Sequence, residues 1–396
     1  MMNNDPNEVI HGLASTLGDD EHGIVKESLL TLEKMLKNRQ TAQRFHPIVA
    51  GSNPLIHALV GATLRAFQVL APESGETQQA LEEAVERAQK SATILRILAE
   101  PQKDVPNREK QQNQIHACSG IVHNHGASVL TMLLPYENPR IRNNCVVTIH
   151  TLLEALKHDK QQYEMAKEQI RKAKGPEVMM GQLKNSSNEK LSAILCDCLY
   201  HLAKMDRPTK NVIRENDGIA CMLHILEHQQ YYNLIEKTMN LLQILSTDLA
   251  CKKLINQNNG TDAIAKKILH FLSSGNTTRT QEYREHYKIL YYAASAMGNI
   301  SDGVEALKDE NMVILAHLEA LRNPTREWAE KIINSVLGSL YNLLVKIPNL
   351  KLKMVQTHGM AVLFDILNKC VCGNQEARNL VEPVLCAIKS VLICCN

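Results

Sequence analysis

Between Ser128 and Lys210 the apolar positions fall twice into the same order. A short apolar run meets a polar turn, and a longer run with apolar residues three and four apart follows. The two longer runs close on Ile149-His-Thr-Leu-Leu153 and on Leu199-Tyr-His-Leu-Ala203. That spacing is one face of an α-helix, and a unit recurring every ~40–50 residues marks an α-solenoid of armadillo or HEAT type. The closing pentad recurs along the whole chain. Leu32-Glu-Lys-Met-Leu36 and Leu95-Arg-Ile-Leu-Ala99 precede the pair. Leu242-Gln-Ile-Leu-Ser246, Met297-Gly-Asn-Ile-Ser301, Leu340-Tyr-Asn-Leu-Leu344 and Ile388-Lys-Ser-Val-Leu392 follow it. Positions one, four and five are apolar or small, while two and three are often polar. On a helix the apolar set packs against neighbouring repeats and the polar pair shares one face.

The pattern predicts an all-α chain, a right-handed superhelical α-solenoid of about eight armadillo repeats. A short disordered N-terminus (1–7) leads into a single domain (8–396), with repeats at 8–38, 41–100, 107–158, 160–204, 206–247, 248–302, 303–346 and 348–395. Asp217-Gly218, Asn259-Gly260 and His358-Gly359 read as turns whose left-handed residue ends a short leading helix. That extra helix separates armadillo from the two-helix HEAT unit. Pro101 to Pro106 reads as a linker and Ser273 to Thr280 as a polar insertion.

Composition agrees. The 396 residues exceed what one compact core holds, roughly 250–300. Aromatic content of 4% with only 18 glycines favours helices over sheets. Forty-four Lys and Arg against 42 Asp and Glu give no net field for nucleic acid. No apolar run approaches ~20 residues, so no membrane insertion is expected. Eleven cysteines lie mostly inside apolar helical runs and read as reduced core thiols of an intracellular protein. Cys196 and Cys198, like Cys370 and Cys372, stand two apart on helices and point to different sides, so core packing is favoured over zinc. His123-Asn-His125 lacks a ββα metal context, and no phosphate loop, nucleophile elbow or zincin helix occurs. The chain reads as a non-enzyme with no cofactor. Lys157, Lys160, Lys172 and Lys174 form a solvated basic face.

The runs SAILCDCLYHLA with the following Lys210, TIHTLL around His150, MGNISD around Asn299, and SLYNLL followed by KLKMV at Lys351 to Val355 occur in an order that resembles the β-catenin family, best from Ser128 to Leu392. The resemblance implies a groove for extended acidic peptides of TCF/LEF-type transcription factors and cadherin cytoplasmic tails. Lys210 and Lys353 would pair with partner carboxylates. His150 and Asn342 match a groove histidine and an asparagine that reads partner backbone, and Asn299 matches the asparagine of an Arg-Asn pair. The paired arginine is Gly298 here; Gln243 stands for a lysine and Lys389 for an arginine. Tyr200 and Asn240 complete the expected peptide-binding set as exposed polar residues of closing helices. By this resemblance the chain is a divergent member truncated at both ends. It is a monomer of cytoplasm, nucleus and cell junctions, acting in Wnt signalling and transcriptional coactivation or, alternatively, in cadherin-based adhesion. An importin-like cargo adaptor is a third reading, disfavoured because the chain has a single tryptophan, Trp328, and basic or neutral groove candidates.

Overall fold

The computed structural model describes residues 5–19, 21–72, 74–101, 107–274, 280–322, 329–372 and 378–393. Positions 102–106 of the linker, 275–279 of the insertion, and Trp328 lie outside them. The described residues contain helices and no strand. They fall into two compact units, Met1–Leu202 and Ala203–Asn396.

In the first unit α1 (Pro6–Leu17) and α2 (His22–Lys37) form a pair, followed by the triples α3 (Arg39–Gly51), α4 (Asn53–Leu70), α5 (Gln78–Ala99) and α6 (Asn107–His123), α7 (Gly126–Met132), α8 (Pro139–Leu156). Then come α9 (Lys160–Lys172), α10 (Gly175–Asn185) and α11 (Glu189–Ala203), whose last residue falls to the second unit. Equivalent helices pack in rows: α2 on α5 on α8, α1 on α4 on α7, α3 on α6 on α9. Helix α3 carries an internal Pro47 and gave no clear apolar face in the sequence. Helix α8 shows why the closing helices form where the pattern put them. Asn138 caps its first turn by accepting from the Arg140 and Ile141 amides, Pro139 sits at N1, and Ile141, Cys145, Ile149, Leu152 and Leu156 form one buried stripe.

The second unit repeats the plan. It contains α12 (Arg207–Glu215), α13 (Gly218–His228), α14 (Tyr232–Leu245), then α15 (Leu249–Gln257), α16 (Gly260–Ser274), α17 (Thr280–Ile300). A single 3₁₀ turn, Ser301–Gly303, stands where a leading helix would be, before α18 (Glu310–Arg322) and α19 (Ala329–Lys346). The last described helices are α20 (Asn349–Gln356), α21 (Gly359–Val371) and α22 (Val381–Leu392). The rows are α14, α17, α19, α22 and α13, α16, α18, α21. No single helix is long and apolar enough to cross a membrane.

The corner between leading and middle helix is chemically uniform. His125, Lys174, Asp217, Asn259 and His358 all have positive φ, and each is followed by glycine. The left-handed residue is therefore the one before the glycine, and it is not itself glycine. What demands the glycine is space: a Cβ on Gly218 would lie 2.5 Å from Ile213 Cγ2. Ile121, Ile170, Ile255 and Met354 block Gly126, Gly175, Gly260 and Gly359 in the same way. These five contacts fix a common register for the leading helices.

Candidate functional site

The closing helices carry the residues expected to meet a partner, and repeated polar ties fix them. At the third pentad position, Asn299 Nδ2 donates to Ser246 Oγ at 2.9 Å and Asn342 Nδ2 donates to Ser301 Oγ at 3.0 Å. In both, the asparagine reaches back to the fifth position of the preceding pentad. At the second position, Gln243 Nε2 donates to Ser295 Oγ (3.0 Å), and His150 Nε2 bonds Asp197 Oδ2 (2.8 Å). Both acceptors stand two residues before the next pentad. Asn144 on α8 likewise donates to Thr93 on α5 at 2.8 Å. The polar stripe thus first serves to lock neighbouring repeats in register. Asn299 Nδ2 also reaches the Gln243 carbonyl oxygen at 3.5 Å, so Asn299 can meet a peptide backbone through its amide oxygen and Asn342 through its oxygen and its second N–H.

The other expected residues divide. Tyr200 is half-buried, its ring edge-on to His201 at 5.4 Å. Asn240, expected to be exposed, is buried on α14; it stands on the core side of the polar stripe. Lys389 is exposed on α22. A Cβ on Gly298 would lie 3.4 Å from the Ser335 carbonyl oxygen, so α17 and α19 approach closely where the resemblance has an arginine.

Lys210 is half-buried on α12, and its Nζ donates to Thr247 Oγ1 at 2.8 Å, just past the C-terminus of α14. In the common register Lys210 stands three residues before Ile213, and Lys252 three before Ile255. Lys252 reaches Asp302 at 2.8 Å, just past the C-terminus of α17. A cation at the carbonyl end of a helix is favourable there, so this lysine position joins consecutive repeats. The equivalent residue on α20, three before Met354, is Lys351; Lys353 is half-buried one residue before Met354. The register therefore pairs Lys210 with Lys351.

One cluster on the first unit was not read from the sequence. His201 Nε2 lies 2.7 Å from Glu154 Oε1, and Lys157 Nζ lies 2.9 Å from Glu154 Oε2. The hydrogen bond with His201, then that with Lys157, holds the Glu154 carboxyl far below the usual carboxylate range, against the opposing effect of burial. Cys196 and Cys198 are both buried in the core, beside Asp197 on the same helix. The signal that could have found the cluster is the i,i+4 pairing of His150 with Glu154 and of Asp197 with His201 on consecutive closing helices. The described cysteines are free thiols, and burial pushes Cys118 and Cys251 up to about 12.

No family model matches the chain. Junction plakoglobin of Homo sapiens is 25% identical over 244 residues, covering 62% of this chain and 29% of that protein. Junction plakoglobin of Xenopus laevis matches with the same identity and coverage. The match thus spans less than a third of the length of these curated relatives. Among solved structures, one described as "A conserved phosphorylation switch controls the interaction between cadherin and beta-catenin in vitro and in vivo" superposes with a TM-score of 0.67. It is 17% identical and covers 96% of this chain and 60% of that one. Three-helix repeats stacked row on row, with this likeness in fold, give the chain an armadillo-type α-solenoid fold, and its sequence is similar to junction plakoglobin.

Proposed function

We propose that the chain is a β-catenin-like scaffold that holds an extended acidic peptide of the cadherin-tail kind along the closing-helix face of its second compact unit. The observation that carries this reading is the recurrence of Asn299 and Asn342 at one register position, each fixed by a serine of the preceding repeat. Two amides presented at repeat spacing suit the backbone of an extended chain. Lys210, Lys353 and Lys389 supply cations on the same unit. The likeness to plakoglobin, and to a structure whose description names cadherin and β-catenin, favours a cadherin-type ligand. We read the eight repeats bounded above as the units of the scaffold, acting in the cytoplasm and at cell junctions. A second reading of the same chemistry is a TCF/LEF-type transcription factor, with coactivation in Wnt signalling in the nucleus. It rests on the resemblance at Lys210 and Asn342.

A titration of the full chain against a cadherin-tail peptide, a TCF-type peptide and a basic control decides between them. The expected order places the cadherin peptide first and the basic control last. Lys353→Glu combined with Lys389→Glu weakens the acidic peptide by more than ~1 kcal/mol and leaves the melting temperature in place, while Asn342→Ala weakens it and also lowers the melting temperature, because the tie to Ser301 is lost. Equal affinity of wild type and charge-reversed protein rejects the proposal.

A further inference from the structure

The first compact unit carries a cleft of about 570 Å³ between α1, α4 and the corner that follows α6, apart from the row of closing helices. That volume falls within the range of small-molecule sites, roughly 300–1,000 Å³. Alanines and glycines of α1 and α4 line it together with His11, Ser15, Asn53, His57, Arg65 and Asn124. None of its lining residues is acidic. Asn53 and Arg65 stand three helical turns apart on α4, roughly 18 Å along its axis, so the cleft has two separate ends.

One backbone carbonyl sets the chemistry of the Asn53 end. The Gly120 oxygen can only accept, so the Asn124 atom 2.8 Å from it is the amide nitrogen. That nitrogen also donates to Asn53 Oδ1 at 2.7 Å, which engages the Asn53 oxygen and leaves its NH₂ as a donor. Asn124 Oδ1 then lies 2.9 Å from His57 Nδ1, which must carry a hydrogen and donate it. In the neutral ring His57 Nε2 is therefore an acceptor, and it has no partner among the described residues. At the other end Arg65 Nη2 donates to the Leu17 carbonyl oxygen at 2.7 Å, at the C-terminus of α1. Arg65 Nη1 lies over Gly61, where a Cβ would stand 3.6 Å away, and Nε is buried without a partner. Ser15, exposed on α1 two residues before Leu17, brings a hydroxyl to the same end.

We propose that this cleft binds a small hydroxylated phosphomonoester, of the sugar-phosphate type, with its phosphate at the Arg65 end and its hydroxyls at the Asn53 end. A guanidinium matches phosphate geometry, and a cation with a buried unmatched donor gains most from an anion beside it. Donors reach the Arg65 end from both α1 and α4. A tetrahedral group with three acceptor oxygens meets both sides, whereas the two oxygens of a carboxylate lie in one plane. The Asn53 end offers a donor and an acceptor side by side, and a hydroxyl is both acceptor and donor. With no carboxylate in the lining, nothing competes for the guanidinium or repels the ligand.

The test titrates the full chain by calorimetry with glucose 6-phosphate, inorganic phosphate, glucuronate and a blocked phosphoserine peptide. The expected result is one equivalent of glucose 6-phosphate, with inorganic phosphate and glucuronate each bound at least ~10-fold more weakly. Ser15→Glu places a carboxylate at the Arg65 end and weakens glucose 6-phosphate and inorganic phosphate alike, by ~10-fold or more. Asn53→Asp keeps the oxygen that accepts from Asn124 and loses only the NH₂, so it weakens glucose 6-phosphate more than inorganic phosphate. Both positions are exposed, and circular dichroism confirms that both variants stay folded. Equal affinity of wild type and Ser15→Glu, or no binding of either phosphate, overturns the site. Glucuronate bound as tightly as glucose 6-phosphate overturns the phosphate assignment, and inorganic phosphate bound as tightly overturns the hydroxyl end. A phosphoserine peptide bound more tightly than glucose 6-phosphate overturns the small-molecule assignment in favour of a protein ligand.

Discussion

His317 shows how far a single environment can set a side chain's chemistry. It is buried between α18 and α19, where Nδ1–H donates to the Val313 carbonyl at 2.7 Å and Nε2 accepts from Ser339 Oγ at 2.9 Å. Both ring nitrogens are satisfied in the neutral form. Burial holds the imidazole down to about 4, against an ordinary value near ~6.5. The folded value is the lower one, so unfolding takes up a proton between these limits. The stabilisation is complete above pH ~6.5 and is lost as pH falls towards 4. Wild type should lose about 2 kcal/mol of unfolding free energy at this site between pH 7.5 and pH 5. His317→Leu should lose that much less over the same range. Urea midpoints at the two pH values compare them, and parallel curves for both proteins defeat the assignment.

At the scale of the helix, register decides what a residue is worth. Met239, Ala294 and Leu337 occupy the same position on α14, α17 and α19 and are all buried. Leu385 is their equivalent on α22 and is 48% exposed. The neighbouring Leu392 is 60% exposed, although its equivalents Ser246, Ser301 and Leu344 are buried. A large-to-small change in a packed row opens a cavity that the neighbours cannot fill, at ~2–5 kcal/mol; the same change at a half-exposed site stays within about 1 kcal/mol. Leu337→Ala should therefore unfold at much lower urea than Leu385→Ala. Similar losses in both proteins, read from far-ultraviolet circular dichroism, contradict this account.

For the chain as a whole, net charge of +2 leaves little long-range field. Binding of an acidic peptide must then depend on lysines close to it. Raising ionic strength from ~0.05 to ~0.5 M should weaken the acidic peptide several-fold. The basic control should respond weakly or in the opposite direction. Melting should barely move, because stability comes from buried rows and each repeat packs mainly against its neighbours. Salt-independent affinity for the acidic peptide, measured by fluorescence anisotropy, goes against a role for Lys210, Lys353 and Lys389.

The apolar period alone was enough for the helix class, the repeat length and the closing pentads, because core positions at i, i+3 and i+4 leave their mark on the chain whatever lies beside them. It also located three of the Xaa-Gly corners, since a left-handed residue followed by glycine is a local requirement. The sequence could not tell that α3 is helical, because a proline and many polar residues mask its apolar face. Nor could it tell that Lys351 shares the register of Lys210. That follows from which side chain lies beneath each glycine, a contact between separate helices. Asn240 read as exposed because polarity was the only guide, and burial depends on what packs against α14. The His150, Glu154, Asp197 and His201 square needs residues 47 positions apart to meet. Only the packing of α11 on α8 brings them together, and it turned a groove histidine into a partner of Asp197.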